Sequence, residues 1–246
     1  VEVANIAGAA GAVSIGNGAT ATLTLDGTTY TSTGAQTYEA NDINITAGAD
    51  VTFTTTNTAV EFQDGAAGQI VLSDDTDLTI TTSGGNITIA PTIAGTDSGG
   101  GNTAEDITLN AAGGTVTSSN TGAAVLATDI GDVTLTGATI ALSNSITSTG
   151  TNSAGNAATI DINGAVTLND NDITFTTGGA GIDFSSTIVS GSTTPRALTI
   201  AQGTGAVVIN GNIGGTADND VGNITIGATG HNLSLIHISE PTRLSW

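Results

Sequence analysis

A short apolar pair recurs along the whole chain: two apolar residues are separated by one residue, which is usually threonine. Residues two apart in a β-strand point to the same side, so each pair can bury one side of a short strand. Successive first positions differ by 28, 27, 29, 26, 27, 13, 25 and 26 residues. The pairs are Leu23/Leu25, Val51/Phe53, Leu78/Ile80, Ile107/Leu109, Val133/Leu135, Ile160/Ile162, Ile173/Phe175, Leu198/Ile200 and Ile224/Ile226.

In four of these units a second apolar pair follows nine residues later, and the 13-residue step marks a half-step or an inserted strand. A strand of three to five residues buries little alone, but identical strands from successive repeats can stack into a continuous core. We therefore predict an all-β chain, a single-stranded parallel β-helix (β-solenoid) with coils of about 25–29 residues. A β-sandwich is the alternative, but it leaves the constant offset unexplained. The second pairs are Val60/Phe62, Ile87/Ile89, Ile182/Phe184 and Val207/Ile209.

Charge and composition exclude several classes of protein. The 246 residues carry 22 carboxylates and two arginine or lysine residues, a net charge of −20. Nucleic-acid binding and attachment to anionic membranes need cations that this chain lacks. No apolar run is long enough for membrane insertion as a helix, and the absence of cysteine excludes disulfides and thiolate metal sites. The lack of methionine predicts an internal fragment or a processed product.

The last residues differ from every repeat. The stretch LSLIHISEPTR, residues 233–243, resembles the conceptual translation of a transposon-end sequencing adapter. We therefore divide the chain into a β-helix region at 1–232 and a non-native tail at 233–246. We expect the tail to contribute nothing to the core, partly because Pro241 lacks a donor that an interior strand needs.

Two segments resemble repeats of very large bacterial surface proteins of the filamentous-haemagglutinin and autotransporter-passenger type. They are YTSTGAQTYEANDINITAGADVTFTTTNTAVEF, at 30–62, and the stretch from 172 to 230 with DITFTTGGAGIDF and ALTIAQGTGAVVINGNIGG. The resemblance implies a right-handed parallel β-helix, exported from a bacterium to the cell surface or medium as part of a long rod. It also implies adhesion to a host-cell, glycan or other surface ligand, with neighbouring coils of the same parent chain as packing partners.

Clustered carboxylates are the candidates for metal binding. Calcium takes six to eight oxygen ligands, and closely spaced carboxylates on a turn could supply several of them. Aspartate is also an ordinary turn residue, so solvated turns are the alternative. We expect no other cofactor. If the first cluster binds calcium, millimolar calcium should raise the melting temperature; a turn centred on Thr76 with its three carboxylates pointing apart, which is the outcome we expect, would exclude the site. The clusters are Asp74, Asp75 and Asp77; Asp170 and Asp172; and Asp218 and Asp220.

Three further carboxylates, Glu61, Asp161 and Asp183, occupy the outward middle positions of strands. Two acids facing each other could cleave a glycosidic bond, which gives a polysaccharide-active enzyme as one alternative function. The region offers few aromatic or basic side chains to hold a sugar, so we expect no catalysis.

Outward threonines form the most regular predicted surface. Stacked on consecutive coils, threonines two apart would give a flat array of hydroxyl and methyl groups, which resembles the surface of ice-binding β-solenoids. Asn110, Ala201 and Gly227 interrupt the array, and threonine also simply suits exposed strands. The predicted ladder is Thr22, Thr24, Thr52, Thr54, Thr79, Thr81, Thr134, Thr136, Thr174 and Thr176. The sequence thus favours a structural and adhesive segment, with an ice-binding solenoid and an enzyme as alternatives.

Overall fold

A computed structural model describes residues 1–64, 68–96, 104–119, 124–126, 130–215, 219–227 and 233–235. These residues form β-strands and no helix, so none of them belongs to a helix that could cross a membrane. The strands are β1 (Glu2–Val3), β2 (Ile6–Ala9), β3 (Val13–Gly16), β4 (Thr22–Leu25), β5 (Thr29–Ser32), β6 (Gln36–Ala40), β7 (Asp42–Ile45), β8 (Val51–Thr55), β9 (Val60–Asp64), β10 (Gln69–Leu72), β11 (Leu78–Thr82), β12 (Ile87–Ile89), β13 (Thr92–Ala94), β14 (Glu105–Asn110), β15 (Thr115–Ser118), β16 (Ala124–Leu126), β17 (Ile130–Leu142), β18 (Ser145–Ser148), β19 (Ile160–Leu168), β20 (Ile173–Thr177), β21 (Ile182–Phe184), β22 (Ile188–Ser190), β23 (Leu198–Ala201), β24 (Val207–Ile209), β25 (Ile224–Ile226) and β26 (Leu233–Leu235).

The strands are arranged in three stacks, and every strand pairs in parallel with its equivalent in the next coil. The first stack is the ten-stranded sheet β1-β4-β7-β10-β13-β16-β18-β20-β23-β25. The second contains β2, β5, β8, β11 and β14, the first halves of β17 and β19, then β21, β24 and β26. The third contains β3, β6, β9, β12 and β15, the second halves of β17 and β19, and β22. The chain is therefore a parallel β-solenoid of about eight turns, as predicted.

The core lies between the three stacks and is formed by the apolar pairs. Val51, Phe53, Leu78 and Ile80 are each 0% exposed, which confirms the predicted inward direction. The residues between them, such as Thr52, point outward and are half-buried rather than fully exposed. A flat strand surface explains this difference, because each outward side chain is flanked by its equivalents on the coils above and below.

The predicted column of pairs is correct only in its middle. Val51, Leu78, Ile107, Val133 and Ile160 stack on one another in the second stack. Two sets of apolar pairs, at the beginning and at the end of the chain, were wrongly predicted to belong to this column. Leu23 belongs to the first stack and faces Ile43, while Tyr30 occupies the place beneath Phe53. Ile173, Leu198 and Ile224 also form a column of the first stack.

The 13-residue step from Ile160 to Ile173 is therefore a move from the second stack of one coil to the first stack of the next. The constant nine-residue offset joins different stacks in the two halves of the chain. It leads from the second stack at Val51 to the third stack at Val60, but from the first stack at Ile173 to the second stack at Ile182. Coil length also varies more than predicted. Paired residues are 20 positions apart at Thr22 and Asp42, and 33 apart at Ile93 and Leu126.

A small apolar cavity of about 20 Å³ lies in the core beside Val116, with Ile89, Leu109 and Leu142 in its wall. The residues paired with Val116 on either side are both isoleucine, Ile87 and Ile140.

We expect Val116→Ile to raise the free energy of unfolding by about 0.5–1 kcal/mol, because its extra methyl group fills this cavity. Denaturant titration measures the change. Val133→Ile is the matched control, since Val133 is fully buried but does not line the cavity. Equal effects of the two substitutions would show that the cavity is not the cause.

The predicted tail begins inside a strand. Leu233–Leu235 form β26, which pairs in parallel with β24, with Leu233 opposite Val207. Residues 236–246, including Pro241, lie outside the described residues. The backbone of the solenoid thus continues three residues past the proposed boundary at 232, while the division into two regions stays a prediction.

Candidate functional site

A threonine surface runs along the outward side of the second stack. We define it as two columns separated by the buried residue between them. In the first column, Thr29, Thr52, Thr79, Thr108 and Thr134 face one another on five successive coils. In the second, Thr31, Thr54 and Thr81 are followed by Asn110 and then Thr136. Six of the ten predicted ladder residues belong to this surface: Thr52, Thr54, Thr79, Thr81, Thr134 and Thr136.

The other four predicted residues lie on the first stack. Thr22 and Thr24 face Asp42 and Asn44, and so begin no threonine column. Thr174 and Thr176 belong to a shorter set, in which Thr174 faces Thr199, Thr199 faces Thr225, and Thr176 faces Thr147 on the preceding coil. The predicted ladder is therefore divided between two stacks, because the register of its first and last members was wrong.

Sequence reasoning missed three members of the threonine surface. Thr29 and Thr31 flank Tyr30, whose inward partner two positions on is Ser32, so this strand carries no apolar pair for the search to find. Thr108 was passed over because its partner two positions on, Asn110, breaks the threonine pattern. The signal that finds them is the alternation itself, with one large apolar residue accepted as inward even where the residue two positions on is polar.

The first threonine column ends in carboxylates. Thr134 faces Asp161, and Asp161 faces Asp183 on the next coil. Burial raises the pKa of Asp161, and the negative charges of Asp183 and Asp132 raise it further. Glu61 lies apart, in the third stack between Thr37 and Thr88. The structure thus brings together two of the three predicted acids and separates the third.

The predicted calcium cluster surrounds a tight turn. Asp75 has a positive φ of 59°, and the Thr76 N–H donates to the Ser73 carbonyl at 3.1 Å. Asp74 Oδ1 accepts a hydrogen bond from Thr96 Oγ1 at 3.2 Å, and Asp77 Oδ1 accepts one from the Asp106 N–H at 2.8 Å. Two of the carboxylates therefore bind different segments of the chain.

The other acidic clusters also bind neighbouring coils. Asp170 Oδ2 accepts from Ser143 Oγ at 2.8 Å, and Asp172 Oδ1 accepts from the Ala197 N–H at 2.8 Å. Asp218 lies outside the described residues. Across the parts of the chain that the structure describes, no three His, Cys, Asp or Glu residues are grouped to hold a metal ion. Calcium binding at Asp74, Asp75 and Asp77 stays a prediction, with the melting temperature in millimolar calcium as its test.

A ladder of carboxylates joins successive coils at the residues just before the apolar pairs of the second stack, and the sequence analysis did not anticipate it. Asp77 accepts from the Asp106 N–H, and Asp106 Oδ1 accepts from the Asp132 N–H at 2.6 Å. Asp132 Oδ1 in turn accepts from the Thr159 N–H at 2.7 Å. Each carboxylate satisfies a backbone donor one coil away, which explains why aspartate immediately precedes several of the apolar pairs.

This ladder brings like charges close together, and Asp77 shows the consequence. Burial raises the pKa of Asp77 most; its hydrogen bond from the Asp106 N–H lowers the pKa, and the charges of Asp106, Asp50 and Asp75 raise it. A carboxyl with a raised folded-state pKa binds more protons folded than unfolded. Its contribution to the free energy of unfolding therefore falls as pH rises from the unfolded pKa through the folded one.

We expect Asp77→Asn to make the protein more stable than the wild type at pH 7, with the difference shrinking as pH falls towards 4. The asparagine Oδ1 can still accept from the Asp106 N–H, but it carries no charge. Asp77→Ala is the matched variant; it loses the acceptor as well, and should unfold more readily than Asp77→Asn at every pH. Denaturant titrations at pH 4, 5.5 and 7 measure these differences. An unchanged difference across that range would exclude the charge as the cause.

Comparison of the chain with known protein families, with curated proteins and with solved structures finds no match. The class of protein is therefore defined by the fold alone: the chain is a parallel β-solenoid repeat protein.

Proposed function

We propose that this chain is a structural and adhesive segment of a large bacterial β-solenoid protein, exported to the cell surface or the medium, and that it carries no catalytic activity. The fold supports the structural part, because stacked coils extend in one direction without needing a larger core. The net charge of −20 favours solubility and opposes random association.

The threonine surface is the observation that carries the adhesive part. Its two columns repeat a threonine hydroxyl once per coil, except at Asn110 in the second column, at the spacing of about 4.8 Å between neighbouring strands. Hydroxyl groups donate and accept hydrogen bonds, so a row of them suits a polyhydroxylated ligand such as a glycan. The surface is outward and half-buried at Thr52, Thr79 and Thr134, so its side chains are held in place before a ligand arrives.

A glycan array and a host-cell binding assay test this proposal with the full chain. We expect binding that falls at least tenfold in a double variant, Thr79→Tyr with Thr134→Tyr, whose bulky rings obstruct the surface. The matched control is Thr88→Tyr with Thr117→Tyr, which makes the same change on the outward side of the third stack. If the wild-type chain binds neither glycans nor cells, or if both double variants lose binding equally, the adhesive proposal is overturned.

Ice binding is a second candidate, and the register of the threonine surface favours it. Five consecutive coils present threonine in the first column, and four of these five present it in the second. Each threonine offers a methyl and a hydroxyl group at a fixed spacing, so the columns could order water in a regular array on a flat surface.

Thermal hysteresis of a dilute solution separates the two candidates. An ice-binding surface should give a measurable freezing-point gap, and Thr79→Tyr alone should abolish it by destroying the flatness of the surface. Thr88→Tyr, on the third stack, should leave the gap unchanged. No gap in the wild type at millimolar concentration would exclude ice binding while leaving the adhesive proposal untouched.

A further inference from the structure

The outward side of the second stack carries carboxylates as well as threonines. On four successive coils an aspartate stands two positions before the first threonine column, and residues two apart in a strand point to the same side. The apolar residue that follows each aspartate pairs with its equivalent on the next coil, so the aspartates are neighbours too. We call them the acidic column: Asp50, Asp77, Asp106 and Asp132. The threonine surface is therefore bordered by negative charge along one side, and its first column ends in the negative charges of Asp161 and Asp183.

No arginine or lysine among the described residues lies on this side of the solenoid. Arg196 is the one such residue in the described part of the chain, and its Nε donates to the Asn169 carbonyl at 3.1 Å, at the corner between the third and first stacks. Burial raises the pKa of Asp77 and of Asp161 most, and the charges of neighbouring carboxylates raise it further. The carboxylates on this side thus repel one another, and a cation supplied by a ligand would relieve that repulsion.

The accessible carboxylates lie near the two ends of the threonine surface. In the middle of the acidic column, Ser153 Oγ covers one carboxylate by donating to Asp106 Oδ2 at 2.9 Å. The exposed or half-buried carboxylates are Asp50 and Asp77 near one end, and Asp161 and Asp183 at the other. Five coil steps separate Asp50 from Asp183, roughly 24 Å at the spacing of neighbouring strands. A ligand that contacts both ends must therefore be an extended chain.

We propose that the threonine surface binds a linear glycan whose sugars carry protonated amino groups, an amino-sugar polymer without acetyl groups. This inference rests on the proposed adhesive function and names the class of its ligand. The threonine hydroxyls exchange hydrogen bonds with the sugar hydroxyls, while the carboxylates near both ends pair with the ammonium groups.

Charge and periodicity together select this ligand over others. The net charge of −20 repels an anionic glycan, and a neutral glycan gains nothing from the carboxylates. A basic peptide satisfies the carboxylates, but it does not offer a hydroxyl group at every repeat to columns that present one per coil. A polymer that carries both hydroxyl and ammonium groups on each unit uses the whole surface.

Isothermal titration calorimetry of the full chain at pH 6 tests the proposal with a matched pair of probes. One probe is a linear glucosamine hexamer, whose amines are protonated, and the other is its fully N-acetylated form, which is uncharged. Exposed ion pairs contribute little singly, but several act together along one chain. We therefore expect the charged hexamer to bind at least tenfold more tightly in 0.05 M sodium chloride. In 0.5 M sodium chloride the preference should shrink to less than threefold, because salt screens the ion pairs.

A pair of double variants tests the carboxylates. Asp161→Asn with Asp183→Asn removes two charges from this side and keeps the size of both side chains. It should reduce the preference for the charged hexamer at least threefold without weakening the binding of the acetylated one. Glu39→Gln with Glu61→Gln is the matched control, since it removes two charges from the third stack, and it should leave the preference unchanged. Thermal unfolding checks that both double variants fold, and Asp50→Asn, at an exposed position, replaces the first if it does not.

The outcomes separate this inference from the proposed adhesive function. Equal affinity for the two hexamers, or an equal loss of preference in the two double variants, overturns the ammonium assignment and leaves the adhesive function standing. Hexalysine that binds as tightly as the glucosamine hexamer would show that charge alone determines binding, and would overturn a glycan as the ligand. If neither hexamer binds, the inference fails, and the glycan array decides independently whether the adhesive function fails with it.

Discussion

Replacing Phe53 by alanine is expected to lower the free energy of unfolding by about 3–5 kcal/mol, the range for deleting a buried aromatic side chain. Phe53 is 0% exposed and is the centre of the largest aromatic cluster among the described residues. Its ring stacks on Tyr30, with centroids 4.7 Å apart and planes 10° from parallel. It also meets Tyr38 and Phe62 edge to face, at 5.2 Å each. Removal would open a cavity that three rigid rings cannot close.

Phe175→Ala is the matched control for this prediction. Phe175 is equally buried but has one aromatic contact, with Phe184 at 4.9 Å. Its aliphatic neighbours can move into the space more readily, so we expect a loss smaller by about 1 kcal/mol, comparable with one aromatic pair. Urea titration measures both variants. A larger loss for Phe175→Ala would show that the aromatic contacts are not what makes Phe53 important.

A second large effect is expected at Gln36, a polar side chain buried at 0% exposure in the core column between Val13 and Val60. Its Nε2 donates to the Tyr30 carbonyl, to Ser32 Oγ and to the Thr54 carbonyl, each at 3.1 Å. Its Oε1 accepts from the Tyr38 hydroxyl at 3.1 Å. Burial raises the pKa of Tyr38, with a smaller contribution from Tyr30, so that hydroxyl keeps its proton.

We expect Gln36→Glu to destabilise the protein by more than about 3 kcal/mol at pH 7, because it removes the two N–H donors that these three acceptors share and introduces a buried negative charge. Protonating the carboxyl removes the charge and restores one donor, so much of the loss should be recovered near pH 4.5. Gln36→Leu is the matched control: it also breaks these bonds, but it introduces no charge, and we expect a smaller loss with little dependence on pH. A pH-independent loss in Gln36→Glu would contradict this explanation.

The sequence analysis predicted the fold well and the register poorly, and both results have one cause. Alternation places Leu23, Val51 and Ile173 inward correctly, because period-two burial is a local property of a strand. The same alternation occurs on all three stacks, so it does not say which stack a pair occupies. The length of the loops decides which stack a pair occupies, and this length varies from coil to coil. For this reason the pair Leu23/Leu25 was predicted to stack on the pair Val51/Phe53, whereas Tyr30 is the residue that pairs with Phe53.

The polar contacts between coils were beyond the reach of local patterns. Gln36 occupies a position that is valine or isoleucine on the neighbouring coils, and nothing in its sequence neighbours distinguishes it from an outward glutamine. In the carboxylate ladder, Asp77 was interpreted only as a calcium ligand or a turn residue, and Asp106 and Asp132 were not singled out. Its hydrogen bonds join residues 26 to 29 positions apart, so they become visible only when the coils are aligned correctly.

The direction of the backbone hydrogen bonds has a mechanical consequence. Parallel strands that stack coil upon coil place these bonds along the direction of stacking, so tension applied between the two ends loads them in series. The terminal coil would then detach first, followed by the next, each releasing its residues as slack chain. A coil of about 25 residues that occupies about 4.8 Å in the stack would yield roughly 85 Å of extended polypeptide. The solenoid would thus act as a tether that lengthens stepwise under load and shortens again as coils rewind.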